Sequence, residues 1–326
     1  MVTQRCAIGI DVGGSSIKAG IVDWEGHVWR RVGVPTPATA SGPEIVEAII
    51  DVGLTVRRYA QEEGYRVDGL GFGMPHFSVG PSWIQTNCPN LPGLEGMSLR
   101  PPLLEAFGES IACDLDTNAA AAAEWHFGAA VGYTRAIVMV IGTGISCGIL
   151  VDNGRLVRHT FGTTGETGHV IVAPDSDARC STGCRGCLES IAAAPAIRRA
   201  ALEAVARGES VAIAEQLAAS GDLDAEKVSV AADAGDPVAR DILGRAGSAV
   251  GLALVSLTHI YCPDAIIIGG GVSAAGEWLI GPARKVIASA AAPFFTRRLR
   301  TVTRAALGSD AGMIGAACLI LRPLRD

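Results

Sequence analysis

The segment Asp11-Val-Gly-Gly-Ser-Ser-Ile-Lys18 decides the predicted fold, because it places an acidic residue and a glycine turn directly after an apolar run. Two later segments have a similar pattern, Ile141-Gly-Thr-Gly144 and Ile266-Ile-Ile-Gly-Gly-Gly-Val272. Glycine adopts the dihedral angles that such turns require, and the backbone N–H groups of the turn can then face phosphate oxygens. A single turn of this kind often serves packing alone. Three of them, the first led by an acidic residue, favour a phosphoryl-transfer enzyme.

Phosphoryl transfer depends on phosphates held in line, on Mg²⁺ to neutralise their charge and on an oriented acceptor hydroxyl. The glycine turns meet the first need, and the carboxylate of Asp11 is a type of ligand that Mg²⁺ prefers. Lys18 lies within the predicted second strand, so a phosphate contact and a solvent-facing side chain are equal alternatives. The predicted nucleotide-binding residues are Asp11, Gly13, Gly14, Ser15, Ser16, Lys18, Gly142, Thr143, Gly144, Gly269, Gly270 and Gly271.

The composition is that of a folded protein, with 326 residues, of which 49% are hydrophobic and 18% are charged. This length predicts about two domains. The net charge of −6 leaves no strongly basic surface, so we expect no nucleic-acid partner. The N-terminal residues show no leader pattern, and no stretch looks long and apolar enough to span a membrane. We therefore expect a cytoplasmic protein with no membrane partner.

Hydrophobic periodicity predicts two related α/β halves. Strands are predicted at residues 6–12, 18–24, 27–34 and 70–74, and helices at residues 45–62, 118–127, 192–261 and 312–321, the third broken near 208 and 221–224. Residues 136–150 repeat the opening pattern of a strand, a glycine turn and a second strand. Because the last helix is expected to pack on the first half, we predict one lobe from residues 1–117 and 312–326 and another from residues 118–311.

Asp116 is the candidate catalytic base. It lies where a predicted strand meets the alanine-rich helix, a position that places a side chain at the carboxyl end of a sheet. A carboxylate there could accept the proton of an attacking hydroxyl group. The alternative is a helix N-cap, which aspartate fills very often. The local sequence leaves both interpretations open.

Nine cysteines in a chain of this type argue against a disulfide framework and for metal binding or burial. Six are scattered and are expected to be small buried apolar residues: Cys6, Cys88, Cys113, Cys147, Cys262 and Cys318. Cys180, Cys184 and Cys187 are clustered, and His169 precedes them. Together these four residues predict a closed Cys₃His site for structural Zn²⁺, which would hold the loop of Glu166 and Glu189. Reduced cysteines without metal are the alternative.

With these segments side by side, the sequence resembles the ROK family of sugar kinases and related repressors, within the actin-like ATPase superfamily. The resemblance covers essentially the whole chain. Residues 11–18 resemble the first phosphate motif of the family, residues 141–144 the second, and residues 266–272 the adenosine motif. Residues 165–169 and 186–189 are similar to its two signature segments.

This resemblance implies a two-lobed α/β fold of the actin-like (ribonuclease H-like) type, with the nucleotide in the cleft between the lobes. It implies a carbohydrate kinase that uses ATP with Mg²⁺, and a homodimer. By the same match Asp116 is the catalytic base, and Glu166, His169 and Glu189 bind sugar hydroxyls. In zinc-containing relatives the counterpart of His169 also binds the metal.

The sequence departs from the family pattern at three positions. Leu115 replaces the asparagine that commonly precedes the catalytic aspartate, and His76 replaces the second glycine of a Gly-x-Pro-Gly turn that approaches the sugar. Thr182 occupies the middle cysteine position, and Cys184 follows two residues later. The loss of an amide partner leaves a sugar hydroxyl unpaired, at a cost of roughly 1–3 kcal/mol. Leu115 and His76 are therefore candidate substrate-binding residues for a modified hexose, although His76 could equally face outward from its loop.

Two alternatives to an ATP-dependent sugar kinase stay open at this point. One is a non-catalytic, sugar-responsive regulator on the same scaffold, although only ten residues precede Asp11, so we expect no DNA-binding domain there. The other is a kinase that uses another phosphoryl donor, such as polyphosphate.

Overall fold

A computed structural model of the chain describes residues 4–108, 110–158 and 165–325. Its strands are β1 (Arg5–Val12), β2 (Ser16–Asp23), β3 (Val28–Pro35), β4 (Arg66–Met74), β5 (Phe77–Val79), β6 (Ile84–Thr86), β7 (Ile111–Leu115), β8 (Ala136–Ile141), β9 (Ile145–Val151), β10 (Arg155–Leu156), β11 (Ala265–Gly269) and β12 (Thr301–Arg304). Its α-helices are α1 (Gly42–Glu62), α2 (Arg100–Phe107), α3 (Asp116–Phe127), α4 (Leu188–Ala192), α5 (Ala194–Ala206), α6 (Val211–Ser220), α7 (Ala225–Asp233), α8 (Pro237–Tyr261), α9 (Glu277–Ala290), α10 (Pro293–Thr296) and α11 (Ala311–Leu321).

The chain forms two compact units. The first unit comprises Met1–Gly132, Gly148–Thr164 and Ser309–Asp326, and the second comprises Tyr133–Cys147 and Gly165–Gly308. The alanine-rich helix α3 belongs to the first unit, whereas the predicted second lobe begins at residue 118. The reason is close packing between α3 and α11, because a Cβ on Gly315 would collide with the carbonyl group of Ala119.

The first unit contains a five-stranded sheet in the order β3-β2-β1-β4-β7. Its first three strands are antiparallel neighbours, and β4 is parallel to both β1 and β7. Parallel neighbours end at the same edge of a sheet, so the ends of β1, β4 and β7 lie together. Asp11 is paired with Gly73 there, and Met74 is paired with Leu115.

Helix α11 packs on this sheet, as the sequence predicted for residues 312–321. Gly9 and Gly71 permit the close approach, because a Cβ on either residue would collide with a backbone carbonyl of α11. Helix α1 begins with a capping box, in which the backbone N–H of Ser41 donates to Glu44 at 2.8 Å. Its buried side chains recur at helical spacing and pack with the sheet in one core: Ile45, Ile49, Val52 and Val56.

In the second unit β11 is parallel to β8 and β12, with Ala265 between Ala136 and Thr301. Strand β8 leads into β9 through the turn at residues 142–144, which confirms the predicted repeat of the opening pattern. Strand β10 pairs antiparallel with the last two residues of β9, which belong to the first unit.

The predicted helical region of residues 192–261 is confirmed, with breaks after α5 and after α6 at the expected glycines. A third break, between α7 and α8, was not predicted. Gly235 adopts a positive φ of 98° there, and the side chain of Asp236 accepts the N–H of Ala239 at 2.7 Å as the N-cap of α8.

Helix α8 is long and apolar enough to cross a membrane, with a mean hydropathy of 1.2, so the expectation that no such stretch exists was wrong. In the structure 61% of its apolar window is buried against other parts of the protein. The core helix of a folded domain has the same length and composition, and burial inside the protein explains the apolar sequence.

Candidate active site

The first glycine turn joins β1 to β2 in the first unit. The N–H of Gly13 donates to the carbonyl of Ser16 at 2.9 Å, and the hydroxyl of Thr36 donates to the carbonyl of Gly13 at 2.6 Å. Gly14 lies against Asn90, since a Cβ on Gly14 would be 3.2 Å from the Asn90 Cβ. The turn is therefore held in shape by its own backbone and by two neighbouring loops.

Asp11 lies at the end of β1 beside the start of α11. It is paired in register with Lys18 on β2, and a Cβ on Gly312 would be 2.6 Å from the Asp11 carboxyl carbon. Burial raises the pKa of Asp11, while the charge of Lys18 opposes that rise. A half-buried carboxylate beside a glycine turn has the chemistry of a Mg²⁺ ligand, and a bound cation would favour its charged form.

Asp116 is the first residue of α3 and follows the end of β7. Its Oδ1 accepts the backbone N–H of Thr117 at 2.6 Å and the hydroxyl of the same residue at 3.0 Å. The N-cap residue is Leu115, and these two bonds stay within the next residue, so they do not form the N-cap pattern that was the alternative. The backbone of β4 approaches this point, because a Cβ on Gly73 would be 3.5 Å from the Asp116 Cα.

A buried polar cluster beside Asp116 was not predicted. The side chain of Asp114, on β7, accepts from the Asn118 amide at 2.8 Å and forms an ion pair with Arg158 at 2.5 Å. Leu115, between the two aspartates, is half-buried. The i, i+4 spacing of Asp114 and Asn118 was a usable signal, whereas the contact with Arg158 joins residues more than forty positions apart.

His76 lies two residues beyond β4 and is buried, with 2% of its surface exposed. The alternative of an outward-facing loop histidine was therefore wrong. Neither ring nitrogen has a hydrogen-bond partner among the described residues. Burial lowers the pKa of His76 to about 4, although the carboxylate of Glu95 opposes this effect. The imidazole is therefore neutral at physiological pH, with one donor and one acceptor nitrogen.

The second and third glycine turns lie together in the second unit. The N–H of Gly142 donates to the carbonyl of Gly144 at 2.9 Å, while the carbonyl of Gly142 accepts from Ala194 at the start of α5. Gly270 has a φ of 80°, and a Cβ there would collide with Ile141. The third turn therefore needs glycine at residue 270, for backbone conformation and for close approach.

Glu189 connects the second glycine turn to the metal-binding loop. Its Oε2 accepts the N–H of Ile145 at 3.3 Å, directly after the turn, and its Oε1 accepts the hydroxyl of Ser181 at 3.1 Å. Glu166 lies 3.8 Å from His169. Burial raises the pKa of Glu166, His169 opposes this rise, and the charge of Glu189 adds to it. The three predicted sugar-binding residues of this unit thus share one electrostatic environment.

The structure gathers three of the four predicted metal ligands. Donor atoms of His169, Cys180 and Cys187 lie within 4.8 Å of one another, but Cys184 is not part of the group. The hydroxyl of Thr182 lies 3.1 Å from the Cys180 sulfur. Burial opposes ionisation, but hydrogen bonds, first from Thr182, lower the pKa of Cys180 to about 7. The structure thus brings three of the four predicted donors together, while the Cys184 sulfur lies 3.7 Å from the Thr182 hydroxyl. The Cys₃His set stays a prediction.

Two thiols and an imidazole form a donor set of the zinc type, so the residues present fit this metal. Of the six scattered cysteines, four are buried as predicted, and Cys113 and Cys262 are half-buried.

Comparisons with known proteins show the family of the chain. The sequence model of the family described as "ROK family" matches residues 7–322. A glucokinase of Thermotoga maritima is 32% identical to the chain over 96% of both proteins. The crystal structure of a ROK family glucokinase from Streptomyces griseus, in complex with glucose and AMPPNP, has a TM-score of 0.79 at 33% identity, covering 97% of this chain and 99% of that one.

A ROK family transcriptional regulator, a homologue of the E. coli MLC protein, has a TM-score of 0.86 at 24% identity. The matched region covers 98% of this chain and 78% of the regulator. At this identity the similarity shows a common fold.

Proposed function

The chain belongs to the ROK family, and we propose that it transfers the γ-phosphoryl group of ATP to a hydroxyl group of a sugar. The observation that carries this proposal is the position of Asp116, at the start of α3 beside the ends of β4 and β7. Full-length similarity to proteins named glucokinase supports the same reaction. Glucose is therefore the first acceptor to test.

In the first unit Asp116 would accept the proton of the attacking hydroxyl, so that the oxygen can bond to phosphorus as the bond to ADP breaks. The turn at Gly13 and Gly14 would hold phosphate oxygens through backbone N–H groups. Asp11 would hold Mg²⁺, directly or through water, and the metal supplies positive charge to the phosphates. Lys18, beside Asp11, would add a second positive charge near the phosphates.

In the second unit the turns at residues 142–144 and 269–271 would contact the nucleotide. Glu166, His169 and Glu189 would bind sugar hydroxyls. Carboxylates and an imidazole suit this role because a hydroxyl can donate to the former and accept from or donate to the latter. His169 has a second function in this proposal, since it also belongs to the metal-binding group.

We also propose that His169, Cys180 and Cys187 hold a structural zinc ion. Its expected effect is to fix the segments that carry His169 and Glu189 relative to each other. The Thr182 hydroxyl lies 3.1 Å from the Cys180 sulfur and 3.7 Å from the Cys184 sulfur, and a hydroxyl is a weaker zinc ligand than a thiolate.

The variant Asp116→Asn tests the catalytic assignment, because an amide cannot accept the proton. We expect kcat for sugar phosphorylation to fall by about 10²- to 10⁴-fold. Binding of AMPPNP, measured by calorimetry, should stay nearly unchanged. The control Asp51→Asn, at an exposed position on α1, should keep full activity. Full turnover by Asp116→Asn would overturn the assignment.

The shared fold of the regulator structure favours a second candidate, a sugar-responsive protein without catalysis. It predicts sugar binding without formation of ADP. A coupled assay of ADP formation with glucose, other hexoses, amino sugars and cyclitols distinguishes the two functions. Polyphosphate in place of ATP tests the other donor in the same assay. A cytoplasmic homodimer remains the expectation for the native protein.

A further inference from the structure

A groove in the second unit is not used by the proposed reaction. It runs along the exposed side of α8, from Arg240 to Leu252, beside α9, and it has a volume of about 680 Å³. Val172, Ala173 and Ile191 complete its lining. None of the residues that line it is proposed to bind nucleotide, sugar or zinc, so the groove is an open cavity whose purpose is unexplained.

The walls of the groove are fixed by contacts within the fold. A Cβ on Gly247 would collide with the Leu279 carbonyl, so α8 and α9 lie in direct backbone contact. On the wall formed by residues 172–173, the N–H of Ala173 donates to the carbonyl of Gly186 at 3.0 Å. The cavity is therefore pre-formed, as sites for small molecules usually are.

The groove is positively charged, although the chain has a net charge of −6. Its lining includes three cationic side chains and one acidic side chain, namely Arg240, Arg245, Lys285 and Asp241. Asp241 is already paired with Arg245 at 3.0 Å. Lys285 is exposed and forms no ion pair with any residue that the structure describes. The charges of Arg240 and Lys285 are therefore available to an anion.

The guanidinium group of Arg240 is held in place by its neighbours. Its Nε donates to the carbonyl of Ala232 at 2.9 Å, and its central carbon lies 4.8 Å from the centre of the Trp278 ring. The indole N–H of Trp278 donates in turn to Asp233 at 2.7 Å. The two terminal nitrogens of Arg240 have no partner among the described residues. A guanidinium fixed in this way can donate two parallel hydrogen bonds to phosphate oxygens with little further loss of entropy.

Apolar surface lies beside these charges, from Val172, Leu252 and Val286. Inorganic phosphate would leave this surface exposed to water, whereas the body of an organic phosphate would cover it. We propose that the groove binds the phosphate group of a small organic molecule through Arg240 and Lys285, with the organic part against the apolar wall. The lining residues take no part in the proposed phosphoryl transfer, so this inference does not rest on the kinase function.

The test is a calorimetric titration of the full chain with inorganic phosphate, glycerol 3-phosphate, glucose 6-phosphate and phenyl phosphate. AMPPNP and glucose are kept at saturating concentrations, so that the proposed active site is occupied. We expect at least one organic phosphate to bind more tightly than inorganic phosphate, because only an organic body covers the apolar wall. Arg240→Ala should weaken the binding of that organic phosphate by about 10- to 100-fold, because a pair of charge-assisted hydrogen bonds is lost.

Three further variants separate recognition from a general effect of charge. Arg240→Lys keeps the charge but not the planar guanidinium, so it should recover only part of the lost affinity. Lys285→Glu should weaken binding by about threefold or more, and added salt should reduce this difference. Arg207→Ala is the matched control, because Arg207 is exposed in the same unit, is paired with Glu209 at 2.7 Å and does not line the groove. Its affinity for the organic phosphate should equal that of the wild-type protein.

The inference is overturned if no organic phosphate binds, if inorganic phosphate binds as tightly, or if Arg240→Ala and the wild-type protein bind equally. Affinity that falls as the protein concentration rises would show that a second copy of the chain covers the groove, which would also overturn it. If Arg240→Ala does not fold, Arg240→Lys and Lys285→Glu decide. Failure of the kinase proposal would appear separately, as absence of ADP formation with every sugar.

Discussion

At the residue scale the candidate base stands beside an ion pair that holds its strand and helix. The Asp114 side chain is 8% exposed, and it joins the end of β7 to the first turn of α3 and to Arg158, two residues after β10. Charge-assisted hydrogen bonds in such places are stronger than exposed ones, because water competes less for the same atoms. The orientation of Asp116 therefore depends on a residue that has no role in proton transfer.

Asp114→Asn should lower the free energy of unfolding by about 1.5–3 kcal/mol, because it removes the charge that holds Arg158 and weakens the bond to Asn118. Asp152→Asn is the matched control. Asp152 forms an ion pair with Arg155 at 2.9 Å, but both side chains are more than half exposed, so the loss should be below about 1 kcal/mol. Urea denaturation measures both values. Equal losses of unfolding free energy in the two variants would show that the Asp114 cluster stabilises the fold no more than an exposed ion pair does.

The buried imidazole of His76 predicts a stability that depends on pH. Its pKa is about 4 in the folded protein, below the ordinary value of 6.5, because burial disfavours the charged form. The unfolded chain therefore takes up this proton first as pH falls, and stability is lost between pH 6.5 and pH 4. Titration of His76 makes the free energy of unfolding about 3 kcal/mol larger above pH 6.5 than below pH 4.

This dependence is measured as the difference between the wild-type protein and His76→Asn in denaturant unfolding at pH 7 and at pH 4. The difference should change by up to about 3 kcal/mol in favour of the variant at the lower pH. Carboxylates titrate in both proteins and cancel in the comparison. Parallel stability curves for the two proteins would contradict a buried neutral His76.

At the element scale the loop of residues 180–189 carries residues of two proposed sites, the zinc site and the sugar site. Cys180 and Cys187 come together through the turn between them, and Glu189 begins the first turn of α4. Thr182 lies next to the Cys180 sulfur, so a stronger metal ligand at residue 182 could add to the group. The loop therefore provides the group with two thiols, and His169 adds the third donor from outside the loop.

Thr182→Cys should raise the affinity for Zn²⁺ by about 10-fold or more, because a thiolate replaces a hydroxyl that lies 3.1 Å from the Cys180 sulfur. Cys184→Ser is the control, and it should leave the affinity unchanged, because Cys184 is outside the group. Competition with a chromogenic chelator measures both affinities without reference to activity. Equal loss of zinc in Cys184→Ser and in Cys187→Ser would restore the original Cys₃His assignment.

At the scale of the whole molecule, the sequence predicted most of the elements. The strands at residues 6–12, 18–24 and 70–74 and the helix at residues 118–127 are present within a few residues of their predicted bounds, because periodicity and glycine turns are local signals. The short strands β5 and β6 and the helix α2 were not predicted. Their sequences are too short for a period to show, and the pairing of Phe77 with Thr86 depends on the loop that joins them.

The candidate site was predictable where a residue type and its place in a strand or turn carry the chemistry. Asp11, the three glycine turns and Asp116 satisfy this condition, and their positions at strand ends agree with the prediction, while their roles remain to be tested. Asp114 with Arg158 and the exclusion of Cys184 were not predictable. Both depend on where side chains distant in sequence, or on opposite sides of a turn, point in space.

The family, the glycine turns and the position of the acidic residue that follows β7 can be read from consecutive residues. Which side chains are buried, and which find partners, follows from the packed structure alone. The segment at residues 11–18 shows the difference. Its glycines predict a phosphate-binding turn, but its aspartate becomes half-buried only because β4 and α11 pack beside β1. Burial and pairing are properties of the packed chain, since they depend on neighbours that the local sequence does not specify.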